Sequence, residues 1–409
     1  MERELDDLLH CPCPSCGAQL QFSAEKQAMA CGHCGYQEPL AFSSDKIEEI
    51  DWSEVQSDRR SDAHSVERRL FSCQRCGAKT VVNYDAPTLS CGFCGSTNVN
   101  PDAVKTRLFE PQGIIPFRIS RNQASDAFKK WIGQSIWAPN DLKDLARLDT
   151  LHGMYIPFWT YDVQTSSDWS GESGSYYYIA QQFRDQNGNV QTRQVQQVRW
   201  SYREGTHDQF FDDVLILASR QLPQSVIQGV YPYLLENTVN YEPKVMLGWE
   251  AEVYNIDPKE GFSVAKQQVD DRIESACANK LAADTYRNLS VRTQYSNQTF
   301  KHVVLPLWIC AYQYGGKTYQ FLINGQTGSV SGKRPVSPWK IALAVLAFLG
   351  LVGVLIALGG KKKRRSAYGA TVPAKEWHIP PGTYGIQREA GVTSRRSVRW
   401  NPAPGRTLT

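Results

Sequence analysis

Residues 341–358 read IALAVLAFLGLVGVLIAL, 18 consecutive positions without a polar or charged side chain. A helix rises about 1.5 Å per residue, so this run with Gly359 and Gly360 reaches about 30 Å, the thickness of a bilayer's hydrocarbon core. A core helix of a water-soluble protein shows a polar face within five turns, and this run shows none. Trp339 and Lys340 stand at one end, and Lys361, Lys362, Lys363, Arg364 and Arg365 at the other. An aromatic and a cationic run at the two ends suit the two headgroup layers. The stretch divides the chain into a large head, one transmembrane helix over 339–360, and a basic tail over 361–409. The tail is rich in Gly, Pro, Ser and Arg and is expected to be disordered.

The net charge of +4 over 409 residues is unevenly spread. Residues 1–100 carry 9 Lys/Arg against 15 Asp/Glu, whereas 361–409 carry 11 Lys/Arg against 2 Glu. The opening, MERELDDLLHCPCP, is acidic and lacks an apolar run, so no secretory signal is expected. Nine of the 11 cysteines fall in the first 94 residues, mostly as C-x-x-C pairs. Without a secretory signal such pairs are metal ligands or redox pairs more often than disulfides. Both points place the head of a single-pass membrane protein in a reducing cytoplasm. The tail then lies on the far side, against the positive-inside tendency, or is held at the inner surface by a re-entrant turn near Gly350 and Gly353.

Cys13-x-x-Cys16 is followed after 14 residues by Cys31-x-x-Cys34, and Cys73-x-x-Cys76 after 14 residues by Cys91-x-x-Cys94. The two sets are offset by 60 residues and their flanks repeat, CPSCGAQ against CQRCGAK and CGHCG against CGFCG. A glycine after each second cysteine lets backbone N–H groups turn toward the thiolates. Two such knuckles joined by a short hairpin bring four sulfurs to a tetrahedral point, the pattern of a structural four-cysteine zinc ribbon. Two Zn²⁺ are expected, in ribbons over 1–42 and 67–100. A rubredoxin-like iron site or dithiol redox chemistry would use the same sulfurs. A closed four-thiolate site has no position for a catalytic water, so no metal catalysis is expected. Cys11 is an alternative ligand or an incidental thiol. The linker over 43–66 contains DKIEEIDWSEVQSD and is acidic. Acidic ribbons, each with about −2 more from four thiolates on one divalent ion, favour protein partners over nucleic acid.

Residues 101–338 have no composition break and read as one α+β body with an antiparallel sheet and two main helices. Ala124, Phe128, Trp131 and Ser135 repeat at helical spacing, as do Phe262, Ala265, Val269, Ile273 and Ala276. Asp257-Pro258 is a helix-start signal. The Asp185–Asn189 turn separates SYYYIAQQF from VQTRQVQQVRWSY, and further turns fall at Tyr314–Lys317 and Asn324-Gly325. Ile156-Pro157-Phe158-Trp159 follows the first helix and Leu305-Pro306-Leu307-Trp308 the second. This predicts two units, each a helix laid on a sheet whose first strand starts with a proline. Trp159, Trp169, Trp200, Trp249 and Trp308 read as sheet-packing aromatics, and Cys277 and Cys310 as core.

Little supports catalysis. Gly316-Lys317-Thr318 resembles the end of a P-loop, but Ala311 stands where a glycine is required. Asp208, Asp212 and Asp213 near His207 are candidate metal or acid/base groups, although FFDDV before LILA reads first as a helix cap or turn. No catalytic residue is assigned.

Beyond the cysteine sets, YIPFWTYD (155–162), FFDDVLILAS (210–219), GWEAEVYNID (248–257), TQYSNQTFKHVVLPLW (293–308) and INGQTGSVSGKRPVS (323–337) stand directly ahead of the span. With these, the head resembles a bacterial family of membrane-anchored proteins with ribbons of the transcription factor IIB type. The family is often labelled primosomal protein N' (replication factor Y) helicase-like. The chain has no helicase motor motifs. Some relatives resemble membrane recruiters of phage-shock-protein-A-like coat proteins, in company with flotillin-like proteins. With the acidic ribbons, the resemblance implies a non-enzymatic adaptor that recruits or organises proteins at the cytoplasmic face of a membrane; an oligomer is a further partner expectation. The alternative is a membrane-tethered nucleic-acid-binding protein of replication or repair. The long tail departs from relatives that end soon after their span.

Overall fold

The computed structural model describes residues 11–42, 46–56, 65–68, 70–82, 90–97, 99–101, 106–139, 151–315 and 317–363. Linker residues 43–45 and 57–64, Gly316, Arg364, Arg365 and the rest of the tail lie outside the described residues. Two compact units emerge, Met1–Ala344 and Val345–Thr409.

The first unit begins with β1 (Leu20–Ser23), β2 (Ala28–Cys31) and β3 (Gln37–Pro39), a small antiparallel sheet. Then come β4 (Ile50–Asp51), α1 (Trp52–Gln56), β5 (Ser65–Arg68), β6 (Phe71–Cys73), β7 (Lys79–Val82), β8 (Val99–Pro101), β9 (Thr106–Phe109) and β10 (Gly113–Ile114). Helix α2 (Arg121–Gly133) leads to two very long strands, β11 (Leu151–Arg184) and β12 (Val190–Leu217). After them run α3 (Gln224–Ile227), β13 (Val239–Asn240), β14 (Glu250–Glu252), α4 (Pro258–Leu281), β15 (Thr285–Tyr314), β16 (Lys317–Asn324) and β17 (Val330–Gly332). Helix α5 (Pro338–Lys363) crosses into the second unit.

Strand β11 is the axis of the body. It pairs antiparallel with β12 from Phe158 to Arg184 and with β15 from Leu151 to Gly174. Its 34 residues extend about 110 Å at the rise of a strand. The Asp185–Asn189 turn closes the hairpin as the sequence predicts, with the Asp185 carboxylate accepting from the N–H groups of Asn187 and Asn189, both at 2.9 Å. FFDDV does not form the cap or turn expected of it. It is part of β12, where Asp213 takes a left-handed φ of 50° and the register against β11 slips between Tyr161 and Val163. The alternation that marks a strand is interrupted there by one bulge residue, and so resembles a turn.

The duplicated IPFW and LPLW segments face each other across the sheet, with Ile156 opposite Leu305. A pseudo-twofold axis passes through that pair. On one side, Met154 and Tyr155 pair parallel to β14 and Phe158 onward pairs antiparallel to β12. On the other, Val303 and Val304 pair parallel to β10 and Leu307 onward pairs antiparallel to β16. Pro157 and Pro306 therefore lie inside their strands, not at the starts as expected. Each sits where one neighbouring strand ends and another begins, so its missing N–H breaks no ladder.

Each helix packs on the other unit's hairpin. Helix α2 lies against β16 and β17, with Phe128 stacked on Phe321 at 3.8 Å, and α4 lies against β12 and β11. The two tryptophans fix the exchange. Trp159 Nε1 donates to Ile256 O at 2.8 Å, just before the cap of α4, and Trp308 Nε1 donates to Ile119 O at 2.9 Å, just before the cap of α2. Asp257 caps α4 by accepting from Glu260 N, with Pro258 at the first position. The buried stripe of α4 is Ala265, Val269, Ile273, Cys277 and Leu281; Phe262 and Ala276 are only partly buried.

Helix α5 is, among the described residues, the one helix long and apolar enough to cross a membrane. None of its most apolar window, Pro338–Leu355, is buried in protein, and Leu346, Phe348, Leu351 and Leu355 are all exposed. Trp339 is exposed. Lys340 Nζ donates to Ala138 O at 2.6 Å.

Candidate metal centres

The four C-x-x-C-G knuckles share one backbone geometry. The glycine N–H donates to the first cysteine's carbonyl in each: Gly17 to Cys13 at 2.8 Å, Gly35 to Cys31 at 3.1 Å, Gly77 to Cys73 at 2.8 Å and Gly95 to Cys91 at 2.7 Å. The first cysteine's N–H is in turn held by the carbonyl of Ala18, Tyr36, Ala78 or Ser96. All four glycines have φ between 68° and 79°, a left-handed conformation that side chains resist. Nothing lies near the position a Cβ would take, so conformation and not space requires glycine there.

These turns bring Cys13, Cys16, Cys31 and Cys34 into one cluster and Cys73, Cys76, Cys91 and Cys94 into another, with the sulfurs of each within 4.8 Å of one another. Cys13 Sγ lies 3.5 Å from Cys34 Sγ, and Cys16 Sγ 3.5 Å from Cys31 Sγ. In the second cluster the matching separations are 3.6 Å for Cys73–Cys94 and 3.5 Å for Cys76–Cys91. Four sulfurs at about 2.3 Å from a tetrahedral zinc stand about 3.8 Å apart, so both clusters fit such an ion with small adjustment. Backbone amides assist: the Cys34 N–H is the strongest influence on the Cys31 thiol and, with that of His33, draws it down to about 6. Burial raises Cys73, but the Cys76 and Arg75 N–H groups outweigh it and bring the thiol to about 7. Burial drives the Cys91 thiol well upward, and that of Cys76 up to about 11. A divalent cation relieves that cost by binding the thiolates. Cys11 is not in the cluster; it packs against the first core.

Both centres are built into the body. Cys13 and Cys31 belong to one buried cluster with Leu20, Phe22, Phe117, Tyr155 and Met246. Phe22 exchanges backbone bonds with the body, its N–H donating to Leu247 O at 2.9 Å and its carbonyl accepting from Trp249 Nε1 at 3.0 Å. The second centre joins the main sheet, because β7 pairs with β14 through Thr80 opposite Glu252. On β14, burial pushes the Glu250 carboxyl up to about 7 and the Glu252 carboxyl up to about 8, although the Ser219 hydroxyl donates to Glu252 at 2.6 Å. Residues 46–56 of the acidic linker are also built in. Strand β4 pairs with Thr299 and Phe300, and the buried Trp52 stacks on Phe262 at 4.3 Å.

The aspartate constellation near His207 is not assembled as read. His207 contacts Lys280 Nζ and Gln209, and Asp208 stands opposite Ser166. Asp212 and Asp213 instead meet Asp162, a residue the sequence reading missed, because only the bulge at Asp213 brings them together. Asp213 N donates to Asp162 Oδ1 at 2.6 Å, and Lys301 Nζ lies 2.9 Å from Asp213 and 3.5 Å from Glu49. Lys301 thus supplies the cation this group needs. Trp159, Trp169 and Trp308 are buried; Trp249 stacks on Phe117 at 3.9 Å, and Trp200 receives Arg287 at 4.2 Å. Cys277 and Cys310 are in the core.

No family model matches the chain, and no solved structure matches it. Among curated proteins it is similar to the uncharacterized protein YdjG of Bacillus subtilis (strain 168), 27% identical over 370 residues that cover 85% of this chain and 98% of the relative.

Proposed function

We propose that this chain is a non-enzymatic, membrane-anchored zinc-ribbon adaptor whose head organises protein partners at the cytoplasmic face of a bacterial membrane. The observation that carries the reading is the combination of two four-cysteine clusters with one apolar helix whose 338–355 window is unburied. Zinc is the ion of choice for four thiolates in a structural site, and such a site holds a shape instead of turning over a substrate. The acidic balance of residues 1–100 favours a protein surface over a phosphate backbone. The resemblance to recruiters of phage-shock-protein-A-like proteins supplies the class of partner to look for first, with flotillin-like proteins second.

Full-length protein in detergent should carry two zinc ions per chain by elemental analysis. A Cys16→Ser/Cys34→Ser variant removes the two exposed ligands of the first centre and leaves the buried Cys13 and Cys31 in the core. It should retain one zinc and recover less of a coat or scaffold protein from membranes than wild type does. Recovery of nucleic acid or replication proteins, retained with that variant, would replace this reading with the nucleic-acid one.

A further inference from the structure

The β11–β12 hairpin outruns its third strand. Pairing of β15 with β11 ends at Gly174 opposite Thr285, while β11 pairs with β12 to Arg184. Beyond Gly174 the two strands form an arm about 30 Å long, and all ten residues from Ser175 to Arg184 are exposed. Tyr176, Tyr177, Tyr178, Ile179 and Phe183 stand among them. A two-stranded ribbon with both faces in water is marginal by itself.

Beyond Tyr176 the outward edge of this segment is unpaired among the described residues. Asp284 N donates to Gly174 O at 3.0 Å and Asp284 Oδ2 accepts from Tyr176 N at 2.6 Å, which fixes the even-numbered residues as those facing that edge. The register with β12 is unbroken from Gly174 onward, so the N–H groups of Tyr178, Ala180, Gln182 and Arg184 also point there. Other edges of the long strands are blunted. Asn288 and Asn297 in β15 have left-handed φ of 54° and 48° beside register slips, and β12 carries Arg193, Arg199 and Arg203 along its run. The 175–184 segment, SYYYIAQQFR, has no proline, glycine or bulge, and its one charge is at its end. That is the composition of a strand that accepts another strand.

We propose that the Ser175–Arg184 edge pairs antiparallel with the same edge of a second copy of this chain, about a twofold axis at Ala180. Antiparallel pairing of a strand with itself is closed by a twofold axis, so it makes a dimer and not a fibre. In this register Ala180 meets its own counterpart, Tyr178 pairs with Gln182, Tyr177 faces Phe183 of the second copy, and Arg184 stands opposite Tyr176, whose N–H stays with Asp284. No like charges oppose, whereas self-pairing of β12 would crowd Arg193 and Arg199. Aromatic cross-strand pairs add to the ladder, and confinement to one membrane raises the effective concentration of the two arms. The inference does not depend on zinc or on an adaptor role.

The test uses full-length protein in detergent. Wild type should be dimeric by light scattering, and Ala180→Cys should cross-link to itself on mild oxidation. Gln182→Pro removes an N–H that no intrachain bond uses and, counted twice by symmetry, should weaken the dimer about thirtyfold. Its circular dichroism and zinc content should stay as in wild type, which separates lost pairing from lost folding. A monomeric wild type, a Gln182→Pro variant that dimerises as tightly, or an Ala180→Cys variant that fails to cross-link overturns the proposal. A monomer whose 178–184 amides resist hydrogen exchange also overturns it, and assigns the edge to the chain's own tail.

Discussion

Glycine at the fifth position of each knuckle is a conformational requirement, and this makes a sharp contrast available. Gly77→Val places a branched side chain at φ 75° with open space around it, so it should cost about 1–2 kcal/mol and weaken metal retention at the second centre. Gly32→Ala, in an ordinary backbone conformation with nothing near, should be close to silent. Competition with a chromophoric chelator distinguishes them. Glu252 offers a second test. Burial lifts its carboxyl from 4.5 to about 8, so between those values the folded chain holds a proton that the unfolded chain releases. Stability is therefore full below about pH 4.5 and falls as pH rises through about 8. Glu252→Gln keeps an acceptor for Ser219 and should flatten this loss, raising the melting temperature relative to wild type at pH 9 but not at pH 5.

Among the elements, β4 and α1 carry the plainest consequence of structure over composition. DKIEEIDWSEVQSD is acidic enough to read as a linker, yet Ile50 and Trp52 are buried in the core that also holds Phe262 and Phe300. Trp52→Ala should cost about 3–5 kcal/mol, measured by chemical denaturation, where a linker residue would cost almost nothing. Local signals were legible where the chemistry is local: the Asp257-Pro258 cap and the Asp185–Asn189 turn each satisfy backbone groups within a few residues. The bulge at Asp213 was not, because its reason is the Asp162 carboxylate across the sheet. The prolines were misplaced for the same cause. Whether a missing N–H does harm depends on which strands end beside it.

For the whole molecule, the two four-cysteine clusters and the body share buried cores. Removing metal should therefore do more than loosen two small knuckles. Extended dialysis against a strong chelator at neutral pH should lower the melting temperature of the entire head and expose tryptophan fluorescence at Trp249, which donates to the first ribbon's backbone. A head that melts unchanged after both ions leave would show the ribbons to be independent, contrary to the shared cluster of Cys13, Phe22, Phe117 and Tyr155.

The two four-cysteine sets, the apolar helix and the hairpin turn are written in the sequence, because each depends on residues close together in the chain: a fixed Cys spacing, an uninterrupted apolar run, an Asn-Gly corner. The duplicated proline–tryptophan segments were also visible. What only the tertiary structure decided is how the copies meet. They lie across a pseudo-twofold axis, and each helix crosses to the other copy's hairpin, where Trp159 and Trp308 reach the carbonyls of Ile256 and Ile119. Periodicity reports which face of a helix is buried; it carries no record of which sheet buries it, since two similar units offer the same apolar surface.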